Sequence, residues 1–246
     1  MSIWGKVIGG VAGFAMGGPL GALAGAVAGH AFFDKRREEE APPALGYDAE
    51  RQLAFTMAVI VLAAKMAKAD GVVSRDEIAA FRGLFHIPPD EIGNVGRLFD
   101  EARADAAGFE PYAAQIASLF AGQPAVLVEL LDGLFAIAKA DGAIHEAELD
   151  FLRRVAAIFG FGPQAFERIR QAHMPPQEAD PYEILGVERG AADAAIKAAW
   201  RKLSRENHPD RLVAQGLPPE FAEQANRRMA AINAAYDRIA KERGMK

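Results

Sequence analysis

The sequence predicts an all-α protein in three parts: an N-terminal membrane helix, a helical bundle and a C-terminal helical hairpin. Three observations carry this. Val7 to Phe33 is a run without a charged residue. Residues 47–172 are rich in alanine, carry apolar residues at helical spacing and show no strand-like alternation. Residues 180–246 place apolar side chains at i, i+4, i+7 on two consecutive segments. Charge divides the same way. Residues 47–170 hold 12 basic and 18 acidic side chains, and residues 180–246 hold 12 basic and 10 acidic. That asymmetry points to two domains with different partners.

Composition removes several classes of function. The chain has 246 residues, 51% of them hydrophobic, enough to bury a core. It has no cysteine, which excludes a disulfide framework and a thiolate zinc site. The histidines His30, His86, His145, His173 and His208 form no pair at metal-ligand spacing.

The anchor comes first, over residues 1–34. A helix of about 20 apolar residues spans a bilayer, and this run exceeds that. Within it Gly5, Gly9, Gly13, Gly17, Gly21, Gly25 and Gly29 recur every fourth position. Residues four apart share a helix face, and a face without Cβ atoms lets a second helix approach closely. Competing readings are a leader cleaved after Ala26-Val27-Ala28, a hairpin bent near Pro19, and a soluble Gly/Ala segment. The run is long for a leader, and only Lys6 precedes it. One span is the expectation. Lys35, Arg36 and Arg37 follow it directly and place the bulk of the chain on the cytoplasmic side, with the amino terminus outside. Residues 35–46, with Pro42-Pro43, read as an exposed linker.

The bundle, residues 47–172, begins with a long apolar helix that stops at Gly71. Helical patterns follow at 77–86, 89–103, 109–121, 124–139, 146–159 and 163–173. Two stretches repeat: AKADGVVSRDEIAAFRGLF from Ala67 and AKADGAIHEAELDFLRRVAAIFG from Ala138. Each is a helix end, an Asp-Gly turn, an aliphatic residue and a new helix, which predicts a pseudo-symmetric bundle. Ser74 is a candidate N-cap and His145 its counterpart, with Asp76 and Glu77 favouring the helix dipole. The corners resemble half of a calcium loop, but Met66, Lys68, Ile137 and Lys139 stand where early ligands belong, so a standard loop is rejected. Asp70, Glu77, Asp141 and Glu148 form a divalent site only if the corners face each other. Turn capping by the aspartates and solvated first-turn glutamates is the favoured reading. These motifs and their flanking helices resemble the tellurite-resistance TerB-like domain, which implies an all-α bundle with an acidic patch.

Residues 173–179 form a second linker. Asp180 should cap a short helix with Pro181 at its first position. The next helix buries Ile196, Trp200 and Leu203 and lines up Lys197, Arg201 and Arg205 beside Lys202. It ends near Asn207, because Pro209 disfavours helical geometry in the residue before it. RLVAQGLPPE reads as a loop, and the last helix buries Met229, Ile232, Tyr236 and Ile239. His208-Pro209-Asp210 stands at the end of the basic helix. Ser204 lies four residues before His208, but no glycine-rich turn offers oxyanion donors. A metal lacks a second ligand nearby. Nucleic-acid binding fits poorly with a segment of net charge +2 whose aromatics look buried. Recognition by an acidic protein surface remains: the cations steer encounter and the rigid tripeptide gives specificity.

DPYEILGV, IKAAWRKLSRENHPDRL and INAAYDRI resemble the J-domain of DnaJ-like co-chaperones across residues 180–246. The resemblance implies that His208, Pro209 and Asp210 trigger ATP hydrolysis in a DnaK-type chaperone, and that Lys197, Arg201, Lys202 and Arg205 dock on that ATPase. Trp200 replaces a usual tyrosine and Arg211 a lysine. Asn207 stands where an aromatic or histidine is frequent, and is expected to weaken the loop's packing. The opening WGKVIGG, the long loop after the tripeptide and the order of parts resemble DjlA-type membrane-anchored co-chaperones. That implies a bacterial inner-membrane, single-pass co-chaperone with no catalytic residues and no cofactor. Its expected partners are a DnaK-type ATPase, unknown clients, membrane lipid and a second copy through Gly9, Gly13, Gly17, Gly21, Gly25 and Gly29; nucleic acid is not among them. The rival expectation is a metal- or stress-sensing TerB-like module with an auxiliary J-domain.

Overall fold

The helix that opens the bundle is apolar all round, and such a helix belongs at the centre of a core. The computed structural model describes Gly21 and residues 47–70, 75–85, 87, 89, 92–104, 108–175 and 177–245. In it α1 (Tyr47–Asp70) is buried without interruption from Leu53 to Ala67. Around it lie α3 (Ile92–Ala104), α4 (Glu110–Leu119), α5 (Pro124–Ala138) and α6 (Glu146–Ile158). α2 (Arg75–Phe85) packs on α5, and α7 (Pro163–Ala172) closes the end beside α5 and α6. Lys65, buried in α1, places its ammonium over the Tyr112 ring at 5.3 Å. Among the described residues there is no strand. None of their helices is long and apolar enough to cross a membrane. Gly21 is helical; the other glycines of the anchor series, the linker 35–46 and Ser74 lie outside the described residues.

The two repeated corners do meet. Glu77 and Glu148, the equivalent acids at the starts of α2 and α6, are both buried and hydrogen-bonded to each other. Burial first, then the neighbouring Glu77, pushes the Glu148 carboxyl up to about 7. One carboxyl of this pair is therefore a proton donor to the other near neutrality. The His145 amide donates to Glu148 Oε2 at 2.9 Å at the start of α6. The two glutamates are therefore buried partners and not the solvated first-turn acids expected, because the corners pack face to face.

In the last third, α8 (Pro181–Leu185), α9 (Asp193–Glu206) and α11 (Ala222–Arg243) pack against one another around Tyr182, Leu185, Ile196, Ile232 and Ile239. Asp180 Oδ1 accepts from the Tyr182 amide at 2.9 Å. Trp200 stacks on Tyr236 with ring centroids 4.4 Å apart, and its indole nitrogen donates to Asn233 Oδ1 at 2.9 Å. The larger ring thus brings its own hydrogen bond.

The stretch read as a loop is structured. It forms α10 (Pro209–Ala214) and a 3₁₀ turn (Pro219–Phe221), and both are sunk into the bundle. Leu212, Leu217, Phe221 and Ala225 belong to the bundle's core and not to the core of α8, α9 and α11. Phe221 meets Phe55 edge-on at 4.8 Å and Phe85 at 5.3 Å. Gly133 makes room for it: a Cβ there would stand 3.3 Å from the Phe221 ring. Gly216 has φ +99° and lies so close to Arg51 that a Cβ would fall 2.6 Å from that side chain. Local periodicity could not show this burial, because its partners lie far away in the chain.

α5 also carries two acids into the core. Neither Glu129 carboxyl oxygen has a hydrogen-bond partner. Burial, then the nearby Asp132, pushes that carboxyl up to about 8.

Two outcomes follow from this packing. Phe221→Ala should cost about 3–5 kcal/mol, because it empties a filled aromatic site. Tryptophan fluorescence and far-UV circular dichroism in urea should trace a single transition in the parent protein and an earlier one in the variant. The Glu129 carboxyl takes up a proton on folding at pH values between the unfolded pKa and about 8. Stability should therefore fall as pH rises through that window, by up to about 1.4 kcal/mol per pH unit from this group. Glu129→Gln should remove that slope and be the more stable form at pH 8, with Glu148 leaving a smaller fall that ends near pH 7. Urea midpoints measured from pH 5 to 9 check this.

Candidate partner-binding site

A helix that must stop before a proline leaves its last carbonyls without intrahelical partners. At the end of α9 the Leu203 carbonyl accepts twice from Asn207, from its amide at 2.9 Å and from its side-chain Nδ2 at 2.8 Å. Asn207 is buried, and its Oδ1 accepts from Arg228 Nε at 3.2 Å. Asn207, expected to weaken the loop's packing, is thus buried and hydrogen-bonded on both sides.

His208 then caps α10. Its Nδ1 accepts from the Asp210 amide at 3.3 Å, and Pro209 occupies the first helical position, where its missing N–H costs nothing. The side chains of His208 and Asp210 are 57% and 93% exposed, with His208 Nδ1 3.8 Å from Asp210 Oδ2. The tripeptide is thus rigid in its backbone and open at both polar side chains. Ser204 Oγ has no hydrogen-bond partner, so no serine–histidine pair forms.

Beside it, Arg201, Lys202 and Arg205 are exposed on α9 and Lys197 is half-buried one turn earlier. Lys202 lies 4.0 Å from Glu206, a surface pair of small energetic weight. The four cations and the tripeptide are therefore neighbours on one helix and its C-terminal turn. That arrangement can hold an acidic protein surface; it offers no nucleophile with a base beside it and no oxyanion donors.

Beneath the tripeptide lies a network the sequence reading missed. Arg228, on α11, reaches Asp132 of α5 with Nη1 at 2.6 Å from Oδ2; their side chains are 7% and 2% exposed. His173 Nε2 stands 2.7 Å from the other oxygen, and its ring stacks on Phe135. Burial pushes the Asp132 carboxyl up, but Arg228 and His173 together outweigh it and hold it below the usual carboxylate value. Next to this pair Gln224 donates to the Glu129 carbonyl at 2.9 Å. The signal was present: Glu129 and Asp132 are the two acids of an otherwise apolar helix, and Arg228 interrupts the apolar stripe of α11. A buried charge requires a partner.

Of the four weak metal candidates, three have described side chains. Glu77 and Glu148 are together, whereas Asp141 binds the Ala143 amide and faces His145 at 3.3 Å on the exposed corner. The Asp70 side chain lies outside the described residues. Among the described residues no group of three or more His, Asp or Glu could hold a metal ion.

Comparison with known proteins covers every part of the chain. Residues 1–46 match the family model of the co-chaperone DjlA transmembrane domain, 56–171 that of tellurite resistance protein TerB, and 180–243 the DnaJ domain. The co-chaperone protein DjlA of Photobacterium profundum is 32% identical, over 99% of this chain and 100% of the relative. That of Coxiella burnetii is 30% identical over 98% of each, and that of Shewanella oneidensis 35% identical over 100% of each. No solved structure matches. With its three parts matched in order and its relatives aligned end to end, the chain belongs to the DjlA family of J-domain co-chaperones.

Proposed function

We propose that this chain stimulates ATP hydrolysis by a DnaK-type heat-shock chaperone through His208, Pro209 and Asp210. The observation that carries the reading is the exposed, capped tripeptide at the end of the cationic helix α9, in a chain of a J-domain co-chaperone family. Lys197, Arg201, Lys202 and Arg205 attract and orient an acidic face of the ATPase. His208 and Asp210 then engage groups that couple to its nucleotide site. The work done on ATP is the partner's; this chain biases the partner towards the hydrolysing conformation, which requires tighter binding to that conformation than to the resting one.

We place the division of labour as follows: residues 1–34 anchor, 35–46 linker, 47–172 TerB-like bundle, 173–179 linker, 180–246 J-domain. The anchor is a single span in the bacterial inner membrane with the amino terminus outside, and it pairs with a second copy through Gly9, Gly13, Gly17, Gly21, Gly25 and Gly29. Support comes from the uncharged run, the basic residues after it and the transmembrane-domain match. The bundle selects clients.

Single-turnover ATP hydrolysis by the partner ATPase tests the central claim. The full chain in lipid vesicles should accelerate it, and His208→Gln should abolish the acceleration; equal rates with both would refute the reading. Lys202→Glu with Arg205→Glu should raise the half-saturating concentration about tenfold, the weight of about 1.4 kcal/mol of lost attraction, while leaving the maximal rate close to wild type. Added salt should weaken half-saturation of the wild type more than that of the double variant.

A further inference from the structure

We infer that Asp132, a residue of the bundle, is a positioning residue for the trigger tripeptide and acts on it through Arg228 and Asn207. The inference rests on the co-chaperone reading above and extends it to a part of the chain outside the J-domain.

The tripeptide is held at both ends by the bundle. In front, Asn207 directly precedes His208, and its Oδ1 is fixed by Arg228 Nε at 3.2 Å. Arg228 is in turn fixed by Asp132 at 2.6 Å, inside the core. Behind, Leu212 lies one turn after His208, and its side chain is fully buried among bundle residues. Between these fixtures His208 and Asp210 face outward.

A guanidinium suits this role because it donates in two directions from one rigid plane. Nη1 serves the carboxylate and Nε serves the amide oxygen of Asn207, so the bundle's charge sets the angle at which α9 turns into the tripeptide. An ammonium could keep the ion pair but could not hold both. A neutral partner at 132 would leave Arg228 buried without its counter-charge and free to swing away. His173, on the other oxygen of Asp132, keeps the carboxylate from rotating.

The assignment predicts a kinetic split. Docking on the cations of α9 should persist, so the half-saturating concentration should stay within about twofold of wild type. Maximal stimulation should fall at least about tenfold, since small misplacements of an acting group are costly.

The experiment uses the full chain in vesicles with the DnaK-type ATPase, in single turnover over a range of co-chaperone concentrations. Arg228→Lys keeps the charge and loses the fork. Asp132→Leu with Arg228→Met removes both buried charges together and is expected to fold with a wild-type urea midpoint. Both should lose maximal stimulation at unchanged half-saturation. A folded double variant that stimulates like wild type overturns the assignment, and so does a variant whose loss is confined to half-saturation. If the double variant is unstable, Asn207→Leu supplies the test, because it cuts the link and leaves the ion pair; wild-type stimulation by it overturns the assignment equally. Wild type active, His208→Gln inactive and the network variants like wild type would sink this inference alone. Wild type inactive would sink the co-chaperone reading, and this inference with it.

Discussion

A carboxylate in the middle of an apolar helix is tolerable only if something cationic reaches it, and for Asp132 that something comes from the other end of the chain. Arg228 lies 96 residues away in sequence. The pair therefore forms only when the bundle and the last helix have found one another. Removing a single partner would leave a bare charge in the core, at a cost of about 3–5 kcal/mol. Around this contact the second linker becomes part of the structure: Lys139 donates to the His173 carbonyl, Arg238 donates to the Ala179 carbonyl, and Gln171 ties its two flanks by accepting from the Asp180 amide. What reads along the chain as two units with a connector is, in space, one packed surface crossed by a charged bond.

The charges sort by environment into different uses. Those on α9 are solvated and screened, and they act at a distance on whatever approaches. Those on α5 are dry. Asp132 keeps its charge because two partners supply it with hydrogen bonds, whereas Glu129, one turn earlier, has no such partner and holds its proton. Identical chemistry three residues apart thus yields an anion and a neutral acid.

Much of this was legible in the sequence, because much of it is local. The helices of the bundle appear where apolar spacing puts them, Asp180 caps where the proline after it suggests, and the tripeptide follows the basic helix. The repeat was legible too, since Glu77 and Glu148 occupy equivalent places and touch. The failures share a cause. RLVAQGLPPE lacks the period of a long helix and looks like a loop, yet Leu212, Leu217 and Phe221 are buried in the bundle's core, Phe221 against Phe55 of α1 and Phe85 of α2, which no local pattern encodes. The role of Asn207 likewise depends on a distant donor, Arg228, 21 residues on. Only the acids of α5 and the arginine inside an apolar stripe were visible hints of a long-range pair.

The notch at Gly133 bears on how the protein is made. During synthesis α1 to α7 leave the ribosome well before Phe221 does. Until that ring arrives, the hollow bordered by Phe55, Leu84, Phe85 and Gly133 is an unfilled greasy socket in the nascent chain. A ribosome that stalls in between leaves that apolar surface open to solvent, an exposure that favours aggregation.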